Sequence, residues 1–486
     1  MALVANKRKL EPNVRVRRSS ADVRERSSVA NVRDRASMAN VRDRSSLGNV
    51  RDRSSMANVR DRSSSGNVRD RSSLGNAALE PAQRKEASNE RRNARVPPPP
   101  EAPEPPQRFE IVGSVDPILL GAVTALIAFG VVMVYSASAV WAHHTLGNDR
   151  ALVLKQGAHA VLGFFAMAVL ASFDYQKLRA FTYPALFATL LLMIATVLGL
   201  GHEAGGASRW IKIGGARVQP AEFAKLAVIC WLAYSLSKKA ARIHTFTVGV
   251  VPHVAGAAVF MYLCMRQPDF GSAVMILLIL GVMLFTAGAR VGYLLGLGIL
   301  IAPLLYWLVA NSEYRLRRIM TFLAQGENYQ LREAWMSFGA GGTTGVGLGD
   351  SRLKLLFLPE AHTDFISAII GEELGLIGFS VTVALFLLIV YRGIQIALRA
   401  ADDYGTYLAA GITLFIGSQA FTNLAVAVGL FPTKGLVLPF ISYGGSSLIV
   451  NCCCAGILLN VSKPRSPALH VAERESVLAR AIGGVT

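Results

Sequence analysis

Lys354–Gly378 reads KLLFLPEAHTDFISAIIGEELGLIG, a short polar loop that runs straight into a long apolar segment. Glu360, His362 and Asp364 stand at its mouth, and Glu372 and Glu373 lie inside it. A carboxylate at membrane depth is costly unless it faces a protein interior or a water-filled cavity, so each of these acids is a candidate functional group. The plainer alternative for Glu372 and Glu373 is that they pair with basic residues on neighbouring helices and fix packing.

The rest of the chain supports a membrane setting. Of 486 residues, 52% are hydrophobic, and the mean hydropathy is positive, which argues against a soluble enzyme. A membrane helix needs about 20 apolar residues. Ten segments after residue 115 meet that need: 117–142, 153–172, 180–200, 221–237, 247–265, 270–287, 291–310, 365–391, 405–430 and 440–461. The expected fold class is all-α, with about ten transmembrane helices and a long extracytoplasmic loop between the seventh and eighth.

The net charge is +18, and residues 1–108 hold 24 Lys and Arg against 13 Asp and Glu, so +11 of it lies in the N-terminal tail. Residues 21–74 carry six copies of a nine-residue unit, of which ANVRDRSSL is typical. Each unit has too few apolar residues for a packed repeat, and the composition predicts disorder. Two Arg and a Ser pair per unit suit anionic headgroups or phosphorylation; a low-complexity expansion with no specific role fits equally. The Pro-rich stretch at 96–106 predicts a stiff spacer. The chain therefore divides into a basic cytoplasmic tail (1–108), a membrane domain (109–465) and a C-terminal tail (466–486).

The five cysteines, Cys230, Cys264 and Cys452 to Cys454, lie in apolar segments with no disulfide or metal-ligand pattern. The basic, polar N-terminus lacks a signal-peptide core, so the first membrane helix is expected to direct insertion. Basic residues in short loops favour a cytoplasmic N-terminus by ten to seven, a modest bias. Outer-loop cations such as Arg150, Arg209, Lys212, Arg217 and Lys434 could hold a diphosphate or meet acidic headgroups.

Three further stretches carry chemistry. Gly206–Lys225 reads GASRWIKIGGARVQPAEFAK, with turn-forming glycines, Trp210 as an interface anchor, and Glu222 and Lys225 at a spacing that lets them pair. The loop 311–364 alternates aromatic and basic residues and ends in a glycine-dense run, which favours a substrate-covering element. As a phosphate-binding loop the run GAGGTTGVGLG is weak, because the Lys-Ser/Thr ending is missing. Gly429–Ser447, GLFPTKGLVLPFISYGGSS, cannot be one continuous helix, and its single charge, Lys434, needs a carboxylate or a bound anion.

Taken together, LPEAHTDF, GEELG, GASRWI with QPAEFAK, and PTKGLVLPFISYGGSS resemble the SEDS family of FtsW, RodA and SpoVE over residues 116–462. The first and last of these look more like the division branch, FtsW. The long loop departs from the pattern: Ala324-Gln325 and Arg332-Glu333 flank Tyr329, where the family often has Asp-Pro and Gln-Ser. Detailed carry-over therefore stops short of 320–340.

The resemblance implies a peptidoglycan glycosyltransferase of the inner membrane, with both termini cytoplasmic, that polymerises lipid II during septal cell-wall synthesis. It implies Asp364 as the essential acid, with Arg209, Lys225, Lys434 and His362 at the substrate and diphosphate, and Glu222, Glu360 and Glu372 as supporting polar groups. A class B penicillin-binding protein and a division activating subcomplex are the implied partners, and nucleic acid is not expected. No cofactor is required by the residues, although a divalent cation bridging Asp364 or Glu372 to the diphosphate is chemically reasonable. A diphosphate leaves without protonation, so an inverting transfer needs one base, and a carboxylate near a helix start is favoured there by the macrodipole. A lipid II flippase and a structural protein that recruits a transpeptidase are the alternatives.

Overall fold

The computed structural model describes residues 109–111, 113–204, 207–213, 216–324, 329–354, 361–433 and 435–467, all within one unit spanning residues 101–486. The repeats, the Pro-rich stretch, Glu360, Lys434 and the C-terminal tail from 468 lie outside the described residues.

Ten long helices follow the expected segments. They are α1 (Pro117–Leu146), α2 (Ala151–Ser172), α3 (Tyr175–Ala195), α4 (Pro220–Lys238), α5 (Val251–Arg266), α6 (Phe270–Thr286), α7 (Val291–Ala310), α10 (Ile366–Leu398), α11 (Asp403–Ala427) and α12 (Gly445–Val461). Two more, α8 (Glu313–Leu323) and α9 (Tyr329–Gly341), lie in the long loop. Seven spans are long and apolar enough to cross a membrane by length and composition, and α6 and α12 are shorter apolar helices. The chain is a multi-pass membrane protein, and among the described residues helices predominate, with five short strands.

Helices α11 and α12 are buried along most of their length and form the centre. The backbone of α12 approaches α2 closely: a Cβ on Gly456 would stand 2.5 Å from the Met167 carbonyl oxygen. Small residues allow such approaches between membrane helices. At the periphery, α7 has no buried residue, and its apolar surface is exposed.

Connections alternate between two ends of the bundle. At one end lie the helix starts of α1, α3 and α11, each capped by an aspartate that an arginine from another element clamps. Asp116 accepts from the amides of Ile118 and Leu119 and pairs with Arg392, while its own amide donates to Ser462 Oγ at 3.0 Å. Asp174 pairs with Arg465 at 2.9 Å. Asp402 pairs with Arg179 and accepts from the Tyr175 hydroxyl at 2.5 Å. Capping aspartates sit at the positive end of the helix dipole, so the arginine neutralises a charge the helix already favours. Strand β1 (Phe109–Ile111) pairs antiparallel with β5 (Arg465–Pro467) at this same end.

The opposite end carries all the motif loops. The glycine-bearing loop after α3, expected as turns, folds as three short antiparallel strands, β2 (His202–Ala204), β3 (Ala207–Ile213) and β4 (Ala216–Val218). The apolar stretch expected as one continuous eighth helix is broken within α10, where Gly375 takes φ 64° and ψ −163°. A break at membrane depth frees backbone groups that must find partners inside the protein. The glycine-dense run supplies them. Val346 and Gly347 amides donate to the Glu372 and Glu373 carbonyls, each at 3.0 Å, and the Leu376 and Ile377 amides donate to the Gly342 and Thr343 carbonyls at 2.9 and 3.2 Å. The run therefore serves as a plug for a broken helix.

Candidate functional site

Asp364 stands two residues ahead of the first residue of α10 and is partly exposed. Its carbonyl oxygen accepts from Asn423 Nδ2 of α11 at 2.9 Å. Its carboxylate faces the turn before α12: a Cβ on Gly435 would stand 3.1 Å from Asp364 Oδ2. Lys434, the residue before Gly435, lies outside the described residues, as does Glu360.

His362 is buried between two aromatic rings, with centroids 5.4 Å from Trp141 of α1 and 5.7 Å from Tyr443. The Tyr443 amide donates to the His362 carbonyl at 3.0 Å, which ties the loop ahead of α10 to the start of α12. Gln156 of α2 donates to the Ser442 carbonyl at 3.2 Å from the other side. Two sequence motifs, the loop ahead of α10 and the turn before α12, far apart along the chain, thus meet at one end of the bundle beside α1, α2 and α11.

The remaining candidates separate into two groups. Arg209 on β3 donates through Nε to the Gln267 carbonyl at 3.1 Å and through its other nitrogen to the Pro268 carbonyl, which ties the strands to the α5–α6 turn. Lys212 and Arg217 are opposed across β3 and β4, and both are exposed. Opposed like charges cost some stability. The Arg217 carbonyl accepts from Ser446 Oγ at 3.2 Å, so this positive edge is anchored at the start of α12.

Glu222 and Lys225, in contrast, are enclosed. They pair at 2.7 Å with side chains 6% and 0% exposed, and Lys225 Nζ lies 5.1 Å from the Phe415 ring centroid. The pairing weighed from their spacing is the one the structure forms.

The two glutamates of GEELG have different partners. Glu372 accepts from Ser351 Oγ and from the Arg352 amide at 2.9 Å, so it caps the plug rather than meeting a base. Glu373 accepts from Ser136 Oγ at 2.5 Å and pairs with Lys354 at 3.2 Å. Its basic partner comes from the loop, where a neighbouring helix was the expectation. Removing one member of a buried pair strands the other charge and costs about 3–5 kcal/mol. Lys354→Met is therefore expected to lower stability by about that amount, and adding Glu373→Gln should recover a good part of it. Thermal unfolding of the detergent-solubilised variants checks this; a double variant no more stable than Lys354→Met would refute it.

Among the described residues, no group of three or more His, Cys, Asp or Glu side chains could hold a metal ion. Sequence reasoning missed Asn423, Ser136, Trp141 and Tyr443. An amide inside the apolar stretch 405–430 was a visible signal for Asn423, since a buried amide needs partners; the aromatic pair flanking His362 had no comparable mark.

The family model for the cell cycle proteins FtsW, RodA and SpoVE matches residues 117–466. A curated relative from Geobacter metallireducens, named as a probable peptidoglycan glycosyltransferase FtsW, is 47% identical over 362 residues, covering 73% of this chain and 95% of the relative. Stage V sporulation protein E of Bacillus subtilis is 38% identical over 356 residues, covering 72% and 97%. Among solved structures, a chain of a peptidoglycan synthase complex matches with a TM-score of 0.60 at 26% identity, covering 72% of this chain and 97% of that one. The rod shape determining protein RodA of Thermus thermophilus matches with a TM-score of 0.54 at 28% identity, covering 72% and 96%.

Proposed function

Because this chain belongs to the FtsW, RodA and SpoVE family of cell cycle proteins, we propose that it polymerises lipid II into glycan strands by inverting transfer, with Asp364 as general base. Its activity is that of a peptidoglycan glycosyltransferase, serving cell-wall synthesis in cell division. The observation that carries the mechanism is that the loop at 361–365 and the turn before α12, far apart along the chain, are tied together beside Asp364 at one end of a membrane bundle.

The 4-hydroxyl oxygen of one sugar attacks the anomeric carbon of a lipid-linked sugar and forms the glycosidic bond. Asp364 takes the hydroxyl proton, and the bond to the diphosphate breaks with its electron pair on the leaving oxygen. An α-linked donor gives a β-linked product in one displacement, so a second carboxylate is unnecessary. Arg209 and Lys434 oppose the charge that builds on the diphosphate. Lys225, enclosed with Glu222, contributes at longer range, and His362 contacts the substrate from between its two rings. Glu222 and Glu372 support the site through their polar partners, Lys225 and the Ser351–Arg352 turn, and Glu360 is a further supporting acid. A divalent cation at Asp364 or Glu372 would supply further charge neutralisation to the diphosphate.

We place the site end outside the cytoplasmic membrane at the septum and both termini in the cytoplasm, which agrees with the basic-loop bias. The tail (1–108) and C-terminal segment (466–486) then flank a catalytic membrane domain (109–465). A class B penicillin-binding protein would supply transpeptidation, and a division activating subcomplex would regulate the pair. The deciding experiment gives lipid II to purified protein in detergent, where there are no compartments to transport between, with and without the penicillin-binding partner. Glycan strands are expected; lipid II binding with no strands under either condition would favour a flippase or scaffold.

A further inference from the structure

We infer that Asn423 is a positioning residue for this reaction, its side-chain amide setting where Asp364 stands relative to the turn before α12. This rests on the assignment of Asp364 as base. Asn423 lies on α11 and is 2% exposed. A primary amide has two donor hydrogens and an acceptor oxygen, and buried this deeply each needs a partner. Here Nδ2 donates to the Asp364 carbonyl at 2.9 Å and to the Leu436 carbonyl at 2.6 Å, and Oδ1 lies 3.2 Å from Ser367 Oγ, which donates to it.

The two donor bonds go to different loops. One reaches the segment that carries the base, and the other reaches the turn whose Gly435 lies against the base's carboxylate. The Ala368 amide of α10 bonds to the Phe365 carbonyl at 2.9 Å, and the Asp364 carbonyl just ahead of it accepts from the side chain of a different helix. Asn423 is thus the shared fixed point of two loops on a buried helix. It is too enclosed to contact substrate itself, and its effect passes through the placement of Asp364. A reacting group displaced by about 1 Å can lose a hundredfold in rate.

The test compares wild type, Asn423→Ala, Asn423→Asp and Asp364→Asn in the full-length chain, purified in detergent and supplied with lipid II and its penicillin-binding partner. Asn423→Asp keeps the shape and the acceptor oxygen but offers the two carbonyls at most one hydrogen, as a neutral acid, and none as a carboxylate, so at least one loop loses its donor; it covers the case in which Asn423→Ala fails to fold. Both Asn423 variants are expected to lower kcat about 10- to 100-fold, with KM for lipid II within about threefold and elution from gel filtration as for wild type. Wild-type kcat in the folded Asn423→Asp enzyme, or a loss confined to KM, would overturn the inference while an inactive Asp364→Asn left the base assignment standing. Full activity in Asp364→Asn would overturn both.

Discussion

Asp364→Asn is expected to lower the rate of glycan polymerisation about 10²–10⁴-fold, the range in which a positioned general base contributes. The substitution is nearly isosteric. The main-chain bond from Asn423 to the residue 364 carbonyl does not involve the side chain, so the loop stays anchored to α11. The approach of Gly435 to the side chain is also preserved in shape. What is lost is proton acceptance, because an amide cannot take the hydroxyl proton of the attacking sugar. The amount of protein in the membrane and its unfolding temperature should therefore match wild type while strand synthesis from lipid II collapses. Polymerisation by the variant at the wild-type rate would remove Asp364 from the mechanism.

Gly345→Ala is expected to lower both stability and activity strongly. Gly345 has φ +85°, and a Cβ there would stand 2.1 Å from the Glu373 carbonyl oxygen, a backbone atom that cannot swing aside. The positive φ costs an alanine about 1–2 kcal/mol, and the overlap forces a backbone shift worth about 1–3 kcal/mol more. That shift would pull Val346 and Gly347 away from the carbonyls they satisfy inside the break of α10. The first half of α10 follows directly from Asp364, so catalysis should fall together with thermal stability. Gel-filtration yield and unfolding temperature measure the stability, and lipid II polymerisation measures the activity. A variant that melts within a degree of wild type would show that the plug tolerates displacement.

The membrane helices were legible because each needs a long apolar run, and that need survives any arrangement of neighbours. That the motif loops share one end could be anticipated, since successive membrane helices alternate in direction and the motifs lie after the third, seventh and ninth expected segments. Three features were hidden for a common reason. The break at Gly375 lies in a sequence whose composition suits an unbroken helix, and only the pairing of residues 342–347 with it makes the break affordable. Lys354 reads as a loop cation until its contact with Glu373 is known. The strands at 202–218 form through pairing between segments too short to signal alone. Each depends on a partner distant in sequence, and local patterning carries no record of that partner.

The aspartate cap of α1 also bears on how the chain comes together in time. Asp116 begins the first membrane helix, yet the groups that complete its environment are Arg392 and Ser462. The partner of Asp174, Arg465, arrives as late. Ser462 follows Asp116 by 346 residues, so at about 5–20 residues per second the ribosome needs roughly 20–70 s to deliver it. During that interval α1 and α3 must be kept in place by the water–lipid boundary and by their contacts with each other's neighbours. The last described helix then closes the end where the first began, and the bundle becomes a ring of mutual anchors only when synthesis of the membrane region is nearly over.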